Sequence, residues 1–165
     1  MFSCCVPRKH SKKEESDNFT KLSAVNWENT VPFVPPVKCG NVIKVYDGDT
    51  ITVASKLPYD ASPLYRFSVR LNGIDTPEIK GRDENEKSIA KKARDALSDL
   101  ILKKEVTLKN VTTEKYGRIL ADVYLGETHL NQWMIDQRYA VAYDGGTKKS
   151  PSNWVTYHEA KVINV

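Results

Sequence analysis

Apolar and polar residues alternate strictly from Tyr65 to Leu71. Tyr65, Phe67, Val69 and Leu71 share one face, and Arg66, Ser68 and Arg70 the other. That period of two predicts a strand with Arg70 turned away from the apolar side. Two shorter β-rich runs, Val42 to Tyr46 and Ile51 to Val53, flank Asp47-Gly48-Asp49-Thr50 and predict a hairpin. A polar loop, Ser55 to Pro63, follows. From Ser88 to Leu102 the period lengthens. Ile89, Ala93, Ala96, Leu97, Leu100 and Ile101 form a stripe at helical spacing, opposite Lys91, Lys92, Arg94 and Asp95. Val106 and Leu108 predict a fourth strand. Ile119 to Leu125 predicts a fifth, with Arg118, Leu120, Asp122 and Tyr124 on one face. Leu130 to Gln137 predicts a short helix, Ala140 to Tyr143 a last short strand, and Trp154 to Lys161 a closing helix.

Five main strands with a long helix between the third and fourth predict an α+β domain. The expected architecture is a small five-stranded OB-type β-barrel with two or three helices. Residues 1–37 are polar, lack a sustained period and finish in the stiff Val31-Pro32-Phe33-Val34-Pro35-Pro36 segment. They read as an N-terminal arm ahead of a folded domain at residues 38–165.

Composition narrows the class. With 165 residues, 40% of them hydrophobic and 28% charged, the chain has room for one soluble domain with a real core. The net charge is +4, and the arm holds five Lys/Arg against four acids, leaving 20 and 17 for the rest. So mild an excess argues against histone-like coating of DNA and fits transient contact with a polyanion. Cys4, Cys5 and Cys39 give neither a disulfide framework nor zinc spacing. No run of about 18 apolar residues is present. The polar stretch at residues 8–17 leaves no signal-peptide core, so an intracellular protein is expected. Cys4 and Cys5 stand beside Arg8, Lys9, Lys12 and Lys13. Two acylated thiols plus that basic cluster would meet the two-signal requirement for peripheral membrane attachment. The simpler reading is a polar tail with exposed thiols.

Candidate chemistry concentrates in Arg70-Leu71-Asn72-Gly73-Ile74-Asp75-Thr76-Pro77-Glu78, with Asp47-Gly48-Asp49-Thr50 upstream and Tyr116-Gly117-Arg118 downstream. Each piece alone has a plain reading: a hairpin turn, an Asx-capped turn, a turn into a strand. Together they supply carboxylates for a hard cation and guanidinium groups for a phosphate, the parts needed for metal-assisted phosphodiester hydrolysis. Asp49 and Asp75 fall at strand ends, where a rigid scaffold meets loops. The Thr76 carbonyl can add an oxygen ligand. Glu78, just past Pro77, suits a water-holding or water-deprotonating role. Arg70 and Arg118 present planar donors that match phosphate oxygens. His10, His129 and His158 are scattered and read as surface or packing residues; Trp133 and Trp154 read as core.

From Gly40 to Tyr143 the sequence resembles the staphylococcal nuclease-like (thermonuclease) family. Val45-Tyr46-Asp47-Gly48-Asp49-Thr50, the Arg70 to Glu78 segment and Lys115-Tyr116-Gly117-Arg118 are similar to its three signature blocks, in order. Leu130-Asn131 and Ala140-Val141-Ala142-Tyr143 are similar to weaker ones. The resemblance implies that Asp49, Asp75 and the Thr76 carbonyl bind one Ca²⁺ ion, other divalent ions being alternatives, and that Glu78 orients or activates the attacking water. It implies that Arg70 and Arg118 bind the scissile phosphate and stabilise its transition state. Lys115, Tyr116 and Tyr143 would line the nucleotide pocket. The substrates implied are DNA and RNA, cut at the P–O5′ bond to leave 3′-phosphate ends, by an enzyme expected to be a monomer. Arg138 stands where the family prototype has a glycine closing its second helix. If that position needs φ > 0, arginine there costs about 1 kcal/mol or more.

Two other functions compete. One is a binding scaffold with a degenerate active site, the other an OB-type single-strand binder without chemistry. The retention of Asp49, Arg70, Asp75, Glu78 and Arg118 weighs against the first. The scarcity of aromatics on the strands weighs against the second.

Overall fold

Each period-two stretch forms a strand, and the strands close on one another. In the computed structural model, which describes residues 24–81 and 83–160, the elements begin with β1 (Cys39–Val45), β2 (Thr50–Ser55) and β3 (Tyr65–Leu71). A two-residue β4 (Ile74–Asp75) and helix α1 (Glu84–Ile101) follow. Next come β5 (Glu105–Thr113), β6 (Ile119–Leu125), β7 (Thr128–His129), α2 (Leu130–Asp136), β8 (Val141–Ala142) and α3 (Trp154–Glu159). β1 pairs antiparallel with both β2 and β5, β2 with β3, and β5 with β6. A parallel pairing of β3 with β6, Val69 opposite Ile119 and Leu71 opposite Ala121, closes the ring into a five-stranded barrel. The α+β barrel expected from the sequence is the fold observed.

The barrel interior takes the inward residues of every strand: Val42, Ile51, Val53, Val69, Leu71, Val106, Leu108, Ile119, Ala121 and Val123 are all buried. Helix α1 lays Ile89, Ala90, Ala93, Leu97 and Ile101 against this core. It starts four residues before the expected Ser88. Asp83 caps it, accepting from the Asn85 amide at 3.0 Å, and Glu84 and Glu86 sit in its first turn. That opening turn is polar, so hydrophobic periodicity does not reveal it. Trp154 is buried as expected, whereas Trp133 packs against the core only in part.

Strand bounds also differ from the sequence reading: β1 begins at Cys39 rather than Val42, and β5 runs on to Thr113. Val37 is 2% exposed and belongs to the core, so packing begins ahead of Lys38. Tyr65, on the apolar face of β3, is exposed at the end of the barrel. Residues 24–33 form a separate unit, in which the Asn26 and Asn29 side chains accept from each other's amides at 3.0 and 2.9 Å. Cys4, Cys5 and His10 lie outside the described residues. Among the described residues, no helix is long and apolar enough to cross a membrane.

Candidate active site

Barrel register decides which polar side chains meet. Thr50 stands opposite Arg70 across β2 and β3, and the Leu71 amide donates to the Asp49 carbonyl at 2.8 Å. Arg70 therefore emerges beside Asp49, and its Nη1 pairs with Asp49 Oδ2. Its Nη2 donates to the Ile74 carbonyl at 3.1 Å and lies 3.6 Å from Asp75 Oδ1. Gly48 makes this crowding possible. A Cβ there would sit 3.0 Å from Thr76 Cγ2 and 3.1 Å from Ala93 Cβ, so a side chain would push the Asp47–Asp49 turn off both Thr76 and α1.

The second guanidinium arrives through the β5–β6 hairpin. Glu114 and Arg118 face each other across its turn, where the Glu114 amide donates to the Arg118 carbonyl at 3.0 Å. Gly117 closes that turn with φ of 82°, a conformation natural to glycine. Arg118 then donates through Nε and Nη2 to the two Glu114 oxygens at 2.6 and 3.1 Å, and through Nη1 to Thr50 Oγ1 at 3.2 Å. The guanidinium holds Glu114 below the usual carboxylate range. Glu114 in turn raises the pKa of Arg118.

These elements surround a cavity of about 410 Å³. Of the nine residues singled out from the sequence, Asp49, Arg70, Thr76, Glu78, Lys115, Tyr116, Arg118 and Tyr143 line it. The ninth, Asp75, lies just beneath, 2% exposed. Tyr143 reaches the rim because β8 pairs with β4 and the Tyr143 amide donates to the Gly73 carbonyl at 2.9 Å. Tyr116 is 73% exposed at the turn, with Lys115 Nζ 5.0 Å from its ring centre.

Three contributors were not anticipated. Glu114 is legible in retrospect, since hairpin register places it opposite Arg118. Glu86 Oε1 accepts from the Glu78 amide at 3.0 Å and anchors that backbone; its spacing from Asp83 is that of a capping box, here turned toward another loop. Lys148 enters from the loop after β8, its Nζ 2.9 Å from Glu78 Oε1 and 2.9 Å from Asp75 Oδ1. Nothing in Asp144-Gly145-Gly146-Thr147-Lys148-Lys149 distinguishes Lys148 from its neighbour. Burial opposes its charge, but Glu78 and Asp75 outweigh that and raise its pKa above the ordinary lysine value.

Charge and burial bear on whether these residues suit a hard cation. Asp49 is 5% exposed, and burial pushes its carboxyl up to about 6 despite Arg70, with Asp47 adding to the rise. Asp75 Oδ1 is buried and, although near Lys148 and Arg70, has no aligned hydrogen-bond donor. A buried carboxylate oxygen that draws a lysine ammonium to 2.9 Å is also of the kind that hard cations take as a ligand. Among the described residues no group of three or more His, Cys, Asp or Glu side chains is spaced to hold a metal ion. An ion here would thus take Asp49, Asp75, the Thr76 carbonyl and waters. The cavity lining carries four acids (Asp47, Asp49, Glu78, Glu114) and four bases (Arg70, Lys115, Arg118, Lys148), and Asp75 beneath leaves one negative charge in excess. A divalent cation together with one phosphodiester brings that balance to neutrality.

Comparison with known proteins identifies the family. The family described as "Staphylococcal nuclease homologue" matches residues 68–161. A Haemophilus influenzae protein named "Uncharacterized endonuclease" is 34% identical over 125 residues, 76% of this chain and 59% of that protein. An Escherichia coli protein of the same name is 33% identical over 114 residues, 66% of each chain. The "Micrococcal nuclease" of Shigella flexneri is 32% identical over 113 residues, 63% of this chain and 58% of that one. The chain thus spans about three fifths of the length of the first of these relatives. The matched span holds Arg70, Asp75, Glu78 and Arg118, and Asp49 joins them through the Thr50–Arg70 pairing. Sequence, barrel and cavity together place this chain in the staphylococcal nuclease homologue family.

Proposed function

We propose that this chain is a Ca²⁺-dependent endonuclease that hydrolyses phosphodiester bonds of DNA and RNA and leaves 3′-phosphate ends. The observation that carries this reading is the meeting of Asp49, Asp75, Arg70, Arg118 and Glu78 at one cavity. The names of the relatives, endonuclease and micrococcal nuclease, support it. Ca²⁺ held by Asp49, Asp75 and the Thr76 carbonyl would supply positive charge against the phosphate oxygens. Arg118, already oriented by Glu114, and Arg70, oriented by Asp49, bind two phosphate oxygens and meet the charge that grows on them. Glu78 takes a proton from the attacking water. The water oxygen bonds to phosphorus as the P–O5′ bond breaks, and the departing O5′ takes a proton from solvent. Lys115, Tyr116 and Tyr143 flank the nucleotide, the exposed Tyr116 ring offering a stacking face.

The test is digestion of plasmid DNA and of RNA with Ca²⁺, with Mg²⁺ and with a chelator. Ca²⁺ should support cleavage of both substrates, chelation should abolish it, and the product 5′ ends should accept kinase labelling without phosphatase treatment. Undiminished cleavage in chelator sinks the metal-assisted mechanism.

A further inference from the structure

Glu78 sits on the cavity rim with its side chain 61% exposed. Its backbone is fixed by Glu86, but that contact does nothing for the carboxylate. An exposed glutamate with three rotatable bonds samples many rotamers, and a proton acceptor that wanders is seldom in place. Among the described residues, the side chain that holds this carboxylate is Lys148, through a charge-assisted hydrogen bond of 2.9 Å. Lys148 is itself tied down, its Nζ 2.9 Å from buried Asp75. Ser150, two residues on, places its Oγ 3.5 Å from Asp75 Oδ2. The β8–α3 loop is thereby pinned to the floor of the cavity at two points, and Lys148 bridges floor and rim.

We infer that Lys148 is a positioning residue that holds the Glu78 carboxylate at the cavity for proton transfer, so that the loop after β8 completes the reactive site. The inference rests on the nuclease reading of the cavity and on the role given there to Glu78. A lysine acting through Glu78 predicts a different pattern from one that grips substrate directly. It also differs from one that merely occupies the place of a cation beside Asp75.

The experiment measures kcat and KM on an oligonucleotide of defined length, with Ca²⁺, for the wild type, Lys148→Met, Lys148→Arg, Glu78→Gln and the Glu78→Gln/Lys148→Met double variant. Ca²⁺ binding to the wild type and to Lys148→Met is followed by calorimetry. Lys148→Met should lower kcat by about 10-fold or more with KM within about 3-fold, since geometry rather than affinity is lost. Lys148→Arg should regain most of the rate. The double variant should be no slower than Glu78→Gln alone, and Lys148→Met should bind Ca²⁺ at least as tightly as the wild type. Four results overturn the inference: unchanged kcat in Lys148→Met, a loss confined to KM, losses that multiply in the double variant, or weakened Ca²⁺ binding. Full turnover by Glu78→Gln would remove the role of Glu78 and this inference with it. A slow Glu78→Gln beside an unimpaired Lys148→Met would remove this inference alone.

Discussion

Arg118 reaches the cavity already clamped by both oxygens of Glu114, and that preorganisation is what a transition-state donor needs. Removing such a donor typically costs about 10²–10³ in rate. Arg118→Ala should therefore lower kcat on that scale while KM changes little. Arg118→Lys should fail almost as badly, because an ammonium cannot match the fork that meets Glu114 and Thr50 together. Near-wild-type turnover in either variant would rule out the assigned role. Asp49 makes a second prediction through its charge. Its folded value of about 6 lies above the ordinary aspartate value of 3.8. The protonated form is thus favoured by folding. The group contributes its stability fully below that ordinary value and loses it as pH rises through about 6. In the proposed site, protons and a divalent cation would compete for this carboxylate. The Ca²⁺-induced rise in melting temperature should therefore be largest above pH 7 and shrink as pH falls below about 6, read by thermal unfolding across that range. A Ca²⁺ shift that grew on acidification would remove Asp49 from the ligand set.

At the scale of elements, the strands that line the barrel were legible because one face of each is buried and the other is not. β6 runs from Ile119 to Leu125 as the alternation predicts, and β3 carries Arg70 outward for the same reason. The two-residue strands β4 and β7 were not, since neither lies in a longer β-rich run of the kind that reveals β8 within Ala140 to Tyr143. Yet β4 is the element that buries Asp75. Asn131 shows the same limit: its place beside Leu130 suggested only a weak family block. Its side chain accepts from the Val123 amide at 2.9 Å and donates to the Asn72 and Ala121 carbonyls at 2.8 and 3.2 Å, joining α2, β6 and the turn after β3. Asn131→Ala removes this partner from the Val123 amide and the Asn72 carbonyl, while the Ala121 carbonyl keeps the Asn72 amide at 2.9 Å, and should cost about 2–3 kcal/mol in denaturant unfolding. A loss under about 0.5 kcal/mol would mean that water replaces the amide. Arg138, at φ of 56°, does occupy the left-handed conformation that the sequence comparison raised as a cost. Its Nε donates to the Tyr157 carbonyl and its guanidinium lies 4.2 Å from the Tyr157 ring centre, so the strained backbone also fastens α3.

For the molecule as a whole, the site is assembled from parts that are distant in sequence, Asp49 to Lys148, and only barrel closure brings them together. That is why the carboxylates Asp49 and Asp75 and the two arginines were legible as short motifs, while Lys148, whose loop has no period and no motif, was not. The same reasoning applies to the start of the folded unit. The prolines at 32, 35 and 36 suggested an arm continuing to residue 37, because proline breaks both periods used to recognise elements. Folding shows Val37 in the core, its amide donating to the Pro35 carbonyl at 2.8 Å, while the Lys38 carbonyl accepts from the Leu108 amide at 2.7 Å. Burying one valine contributes about 1.5–3 kcal/mol. In a unit of this size each kcal/mol moves the melting temperature by roughly 3–6 °C. A protein beginning at Val34 should therefore melt about 5–18 °C above one beginning at Lys38, and the two should cut DNA at similar rates at 25 °C, since the residues that line the cavity begin at Asp47. Equal melting temperatures would show that Val37 only covers the barrel. A loss of cutting in the shorter form at a temperature where it remains folded would show that the Pro35–Val37 turn also shapes the site.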